Sequence, residues 1–229
     1  MSRPILVLDT ASPAVSVAVG AAGRVTAERT IELRRSSERL LGTIEEVLDA
    51  ARLTLGDLDG VAVLQGPGSF TGLRIGLATV LGFHQALGLS ATALPTLPVL
   101  AAAAGPGTAG VGETPVAAAV DALRGDWFVG RFRPSAGGGW PEPLGPAALR
   151  ASAELAELSP CRLIGFGVAA LAPAVAGYGV ELVEPPTLAP VAARVASRLA
   201  IDWDPARLTA PIYFRPPAVT LPAAGRAPR

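Results

Sequence analysis

One stretch limits the folds open to this chain more than any other: Gln65-Gly66-Pro67-Gly68-Ser69-Phe70-Thr71-Gly72-Leu73-Arg74-Ile75-Gly76. The apolar run Val61-Ala62-Val63-Leu64 precedes it and reads as a buried strand. A helix opens from it and runs to about Gly88. Two glycines flanking a proline make a tight turn, and Ser69 or Thr71 is placed to cap the new helix. A strand–glycine loop–helix junction of this kind serves either as a compact turn or as a seat for an anion. It is neither a Walker loop nor a dinucleotide fingerprint. No Gly-Lys-Ser/Thr follows, and the glycines do not fall as G-x-G-x-x-G.

A chain of 229 residues, half of them hydrophobic, is long and apolar enough to bury a sizeable core in one large domain or two small ones. Its net charge of zero gives no global attraction to nucleic acid or to an acidic membrane. All 19 basic residues are arginine, which fits a compositional bias toward Ala, Gly and Pro rather than a function. The single cysteine, Cys161, excludes an intramolecular disulfide framework and reads as a buried thiol in a short strand. Asp9 interrupts the N-terminal apolar residues too early for a signal peptide. The longest apolar run, residues 94–104, falls short of the ~18 residues that span a bilayer and carries Pro95 and Pro98. A soluble, cytoplasmic protein is expected.

Residues 5–8 form a short apolar strand ending at Asp9. Residues 15–19 alternate as a second strand, and after the turn 20–23 a third runs over 25–31. A helix starting near Ser36 or Ser37 then places Leu40, Leu41, Ile44, Val47, Leu48 and Ala51 on one face. The strand at Val61 and the helix from Thr71 follow. Strand, strand, strand, helix, strand, helix is half of an actin-like, ribonuclease-H-like ATPase (ASKHA) fold, an α/β architecture of two lobes with mixed sheets flanked by helices. A weaker second half follows a Gly/Pro/Thr-rich linker: strands at 116–120 and 127–132, a helical pattern at 147–157, a short strand at 162–164 and a helix at 191–199. The expected division is a first lobe at 1–104, a linker at 105–114, a second lobe at 115–214 and a mobile tail at 215–229.

An ATPase of this fold brings glycine backbone against phosphate in its first hairpin. Here the hairpin reads Asp9-Thr10-Ala11-Ser12-Pro13, with Ala11 where a glycine belongs and Pro13 lacking an N–H. The second half offers Asp121-Ala122-Leu123, again without the glycine. Asp9 and Asp121 read better as strand-end residues that stabilise turns, although Asp9 could hold a hydrated magnesium ion. No cofactor is expected to bind tightly. Any residual nucleotide would rest on Asp9, Thr10, Gly66, Gly68 and Ser69. The one histidine, His84, cannot build a His-x-x-x-His metal pair or a Ser–His–Asp triad around a G-x-S-x-G elbow; it reads as a helix-surface or packing residue.

The second helix is apolar nearly all round and carries Gly72, Gly76 and Gly82. At ~100° per residue, Gly72, Gly76, Thr79, Phe83 and Ala86 share one sector of ~80°. A stripe of mostly small residues admits another backbone, either the chain's own sheet or a partner helix. The expectation taken forward is a partner, met by Leu40, Leu41, Ile44, Val47 and Leu48 of the first helix and by Gly72, Gly76, Thr79 and Phe83 of the second.

Several segments together resemble the TsaB (YeaZ-like) family: LDTASPAVSVAV at the start, RSSERLLGTIEEVL in the first helix, GPGSFTGLRIGLA at the glycine loop, DALRGDWFVGRF, the GFG at 165–167 and APIYFRPP near the end. Leu123 stands where that family usually has Arg, and Ser36 where its first helix usually starts with His. The catalytic paralogue TsaD carries a metal-binding His-x-x-x-His just after the second helix; residues 94–100 here hold no such ligand. The resemblance therefore implies an accessory, non-catalytic dimerisation subunit. Such a subunit pairs helix against helix with a TsaD-like catalytic subunit, joins a TsaE-like ATPase, meets tRNA only through that complex, and forms a homodimer when alone. The implied reaction is threonylcarbamoylation of the adenosine beside the tRNA anticodon. The alternative is an active ATP-dependent phosphotransferase of the same fold.

Overall fold

A computed structural model describes residues 3–32, 36–105 and 114–213. The expected tail, most of the linker and the side chains of the two candidate caps Ser36 and Ser37 lie outside the described residues. The first sheet is built as the alternation implied. Strands β1 (Ile5–Asp9), β2 (Ala14–Ala21) and β3 (Arg24–Glu32) form an antiparallel meander. The β2–β3 turn takes positive φ at Ala22 and Gly23, 49° and 78°, the twist that matches a two-residue hairpin. Strands β4 (Gly60–Gly66) and β5 (Ala91–Pro95) then add in parallel, giving the order β3-β2-β1-β4-β5.

The second sheet repeats this plan. Strands β6 (Val116–Asp121) and β7 (Asp126–Arg133) form its central hairpin. The short strands β8 (Glu142–Pro143) and β9 (Ala148–Ala151) both pair with β7, and β10 (Cys161–Ile164) and β11 (Val180–Val183) add in parallel on the other side. Read from β6 outward, each strand stands where its counterpart in the first sheet does. Two mixed sheets in this order, with helices on their faces, are the two-lobed actin-like architecture.

Helices α1 (Ser36–Ala51) and α2 (Phe70–Leu87) cover one face of the first sheet. Helix α3 (Thr96–Ala103) packs against its other side and reaches the second sheet. The short helix α4 (Ala172–Val175) lies in the connection from β10 to β11. Helix α5 (Leu188–Ala196) joins α3 between the sheets. Helix α3 forms in the run 94–104 because both prolines suit its start: Pro95 is the N-cap and Pro98 falls in the first turn, where no intrahelical N–H is needed. One continuous core joins Leu6, Val63 and Leu100 to Val116, Phe132 and Ile164. A second, smaller core lies on the outer side of the second sheet, around Trp127, Leu155, Leu163 and Leu171.

Two expectations are corrected. The helical pattern at 147–157 is the edge strand β9 followed by a 3-10 turn, Ser152–Leu158. Pairing of β9 with β7, and the Trp127 Nε1–H donated to Ser152 Oγ at 3.2 Å, outweigh the local helix preference. The second lobe also does not extend to 214. Helix α5 packs on β1 and β2, with the Ala189 N–H donating to Ser16 Oγ at 3.2 Å, and the 3-10 turn Pro205–Thr209 sits against β5 and α2. The chain returns to the first sheet because that sheet has a second apolar face to bury.

Candidate functional site

The site is built from the end of β1. Asp9 is wholly buried, and its Oδ1 accepts the N–H groups of Ala11 at 2.9 Å and Ser12 at 3.1 Å. Its Oδ2 has no partner. Burial pushes the carboxyl from 3.8 up to about 6, against the opposing pull of hydrogen bonds from the Ser12 side chain and the two N–H groups. Asp121, at the matching end of β6, does the same local job at the surface: its Oδ1 accepts the Leu123 N–H at 2.7 Å. Both aspartates thus hold strand-end turns.

The glycine loop docks on this turn. The Ser69 N–H donates to the Ala11 carbonyl at 2.8 Å, and a Cβ on Gly68 would stand 2.5 Å from that same oxygen. A Cβ on Gly72 would fall on the Thr10 carbonyl oxygen, and one on Gly76 on Thr10 Oγ1. Ser69 is the N-cap of α2, its Oγ accepting the Gly72 N–H at 3.2 Å, whereas Thr71 lies inside the helix. Of the five residues expected to hold residual nucleotide, Asp9 and Thr10 are buried, while Gly68 and Ser69 are half-buried, packed against Ala11 on one side and lining the cleft on the other. Gly66, at φ 101°, is backed by the Ile212 carbonyl. The structure brings the five together in a packed joint between the glycine loop and the β1–β2 hairpin.

A buttress behind the loop is not legible in the sequence. Gln65 Nε2 donates to the carbonyls of Ala210 at 2.6 Å and Arg207 at 3.2 Å, and the Gln65 carbonyl accepts the Ile212 N–H at 2.9 Å. Tyr213 then stacks on Phe70 with ring centroids 5.2 Å apart, and the Arg74 guanidinium lies 4.1 Å over the Phe70 ring. No spacing rule links residues so far apart in the chain.

Between the two sheets opens a cleft of about 570 Å³. Its walls are Ser12 and Pro13, the loop 67–70, Thr96 and Leu100 of α3, residues 119–121, Leu123, Phe166–Gly167 and Tyr213. None of these side chains is basic. Among the described residues no group of three or more His, Cys, Asp or Glu is placed to hold a metal ion. His84 lies on α2 with Nδ1 2.9 Å from the Leu89 carbonyl, a packing role. Cys161 is buried in β10, and burial pushes its thiol up to about 11.

The expected association surface is corrected in part. Leu40, Ile44, Val47 and Leu48 of α1 are buried, as are Gly72 and Gly76 of α2. These six cover the chain's own sheet, because each helix must give that sheet a full apolar stripe. Leu41 is 58% exposed, and Thr79 and Phe83 are half-buried. On the side of α2 turned away from the sheet stand Thr71, Ala78, Gly82 and Ala86, all exposed and flanked by the exposed Arg74 and Gln85, with nothing within 4 Å of a Cβ placed on Gly82. The outward small-residue stripe is therefore rotated by roughly 100° from the expected one. Among the described residues no helix is long and apolar enough to cross a membrane.

Comparison with known proteins agrees with this geometry. The profile of a family described as "TsaD: tRNA N6-adenosine threonylcarbamoyltransferase" matches residues 27–137. The Escherichia coli (strain K12) protein described as "tRNA threonylcarbamoyladenosine biosynthesis protein TsaB" is 33% identical over 136 residues. That match covers 59% of this chain and 58% of the E. coli protein. An uncharacterized protein of Mycobacterium tuberculosis (strain H37Rv) is 33% identical over 218 residues, covering 93% of this chain and 92% of the relative. Among solved structures, YeaZ from Pseudomonas aeruginosa superposes with a TM-score of 0.68 at 26% identity, over 86% of this chain and 90% of YeaZ.

Proposed function

This chain belongs to the TsaB (YeaZ-like) family, and from that premise we propose that it is a non-catalytic scaffold pairing with a TsaD-type catalytic subunit for threonylcarbamoylation of tRNA adenosine. The observation that carries the reading is the outer face of α2. A helix already packed on its own sheet keeps Ala78 and Gly82 bare on the opposite side, and Leu41 of α1 is exposed as well. Small residues at a helix surface let a second helix cross closely, since the distance between crossing helices depends on the side chains at the contact. The packed glycine loop supports the same reading, because its backbone is committed to the hairpin of β1 and β2 rather than open to a polyphosphate.

In this reading the protein acts in the cytoplasm, self-associates through the same face when TsaD is absent, and reaches tRNA and a TsaE-type ATPase only within the complex. The test is co-purification with the TsaD partner, with stoichiometry read by light scattering. The expected result is a stable mixed complex, lost in Gly82→Leu while the isolated variant melts at or above the parent temperature. A Gly82→Leu chain that still pairs, or a parent chain that never binds TsaD, overturns the proposal.

A further inference from the structure

The cleft between the sheets has the size of a small-molecule site and walls of the wrong character for a nucleotide. Ligand pockets commonly enclose roughly 300–1,000 Å³ and are lined by apolar and aromatic side chains with a few polar groups to orient the ligand. Here Pro67 and Phe70 of the glycine loop face Leu123 and Phe166 of the second half across about 570 Å³. Leu123 is 64% exposed and Phe70 44%, so two of the large apolar side chains left in water stand on opposite walls of one cavity. Exposed apolar surface gathered in a concavity marks a binding site more often than the same residues scattered.

The polar groups point to the charge of the ligand. Among the described residues no lining side chain is basic, and the rim carries the Asp121 carboxylate. The Ser69 N–H, at the corner where a phosphate would sit, is already given to the Ala11 carbonyl. An anion entering here would meet the Asp121 carboxylate with no basic side chain among the described lining residues to offset it. A donor on the ligand, by contrast, would find Asp121 and the Ser12 and Ser69 hydroxyls as acceptors.

We propose that the cleft is a binding site for an uncharged, largely apolar organic molecule with a ring-sized body and a hydrogen-bond donor, and not for a nucleoside polyphosphate. The site is independent of the helix pairing above, since its walls include no residue of the outer face of α2.

The test is fluorescence titration of the full chain with N-phenyl-1-naphthylamine, a neutral aromatic amine. One saturable site per chain is expected, unaffected by excess magnesium–ATP. Leu123→Asp removes an apolar wall and adds a second carboxylate. Leu123 is exposed at a φ of 64°, a conformation Asp tolerates better than Leu, so this variant folds. It should weaken the probe about tenfold, the factor lost with part of one leucine-sized apolar contact. Tyr178→Ser, an exposed apolar residue outside the cleft, should leave the probe's affinity unchanged. Absence of saturable binding, displacement of the probe by magnesium–ATP, or equal weakening in the Leu123 and Tyr178 variants overturns the proposal.

Discussion

The two halves of this protein share a strand order and differ in what covers it. In the first half the connections from β3 to β4 and from β4 to β5 are α1, of 16 residues, and α2, of 18. In the second half the same two connections are a seven-residue 3-10 turn and a short 3-10 turn leading into α4. A sheet needs only enough apolar cover to close its face, and the short segments achieve that around Leu155, Leu158, Leu171 and Val175. Long helices are therefore not demanded by the sheet. What α1 and α2 add is an outer face, and on α2 that face carries Ala78 and Gly82 flanked by the exposed Arg74 and Gln85. The halves also differ at matched positions: Asp9 is wholly buried where Asp121 is exposed.

The largest expected effect is at the inner face of α2. Gly72→Ala places a methyl on the Thr10 carbonyl, a backbone atom that no rotamer change can move, and Gly76→Leu overpacks Thr10 and Val63. Each should destabilise the isolated chain by about 3 kcal/mol, near the upper end for overpacked cores. Urea unfolding reads this directly. A melting curve like the parent's for either variant would mean that α2 does not lie on the β1–β2 hairpin as described.

Next in size is the pair of aspartates. The folded-state value of Asp9, about 6, lies above its unfolded value of 3.8, so the folded protein holds an extra proton between the two. The stability this brings is full below about pH 4 and is lost as pH rises through about 6, a fall of about 3 kcal/mol. Asp9→Asn keeps an acceptor for the Ala11 and Ser12 N–H groups and removes the titration. It should flatten the pH dependence between 4 and 6 and gain about 1 kcal/mol at pH 7, the rest being offset by unpartnered amide hydrogens. Asp121→Asn, at the exposed twin, should change stability by less than about 0.5 kcal/mol. Denaturant midpoints measured across pH for both variants decide whether the two halves differ as stated.

The smallest effects on stability are expected on the outer faces. Gly82→Leu meets nothing within 4 Å and should gain up to about 1 kcal/mol from helix propensity. Leu41→Glu, at a 58% exposed position, should stay within about 0.5 kcal/mol of the parent. Both should lose the TsaD partner. Set beside Gly76→Leu, the Gly82→Leu variant asks the same helix the same question on its other side. Thermal unfolding of the isolated chains with co-purification gives the answer, and a destabilised Gly82→Leu would show that the outer face is covered within the chain.

Much of this protein is legible in its amino-acid sequence alone. The strand–glycine loop–helix junction, the meander and the amphipathic α1 follow from local rules: alternation, helical spacing, capping and turn residues each act within a few positions. The absence of glycine at Ala11 and Leu123 is equally plain. Three decisions belong to tertiary structure. The direction of the small-residue stripe on α2 depends on Thr10, which lies far from it in the chain and settles Gly72 and Gly76 beneath its own atoms. The pairing of β9 overrides a helical pattern because an edge strand gains backbone hydrogen bonds that local propensity does not count. The return of residues 188–213 to the first sheet, with Gln65 clamped to Ala210, comes from an apolar face left open by the first half. Local preference is set by neighbours in sequence; which apolar face is covered, and by what, is set by neighbours in space.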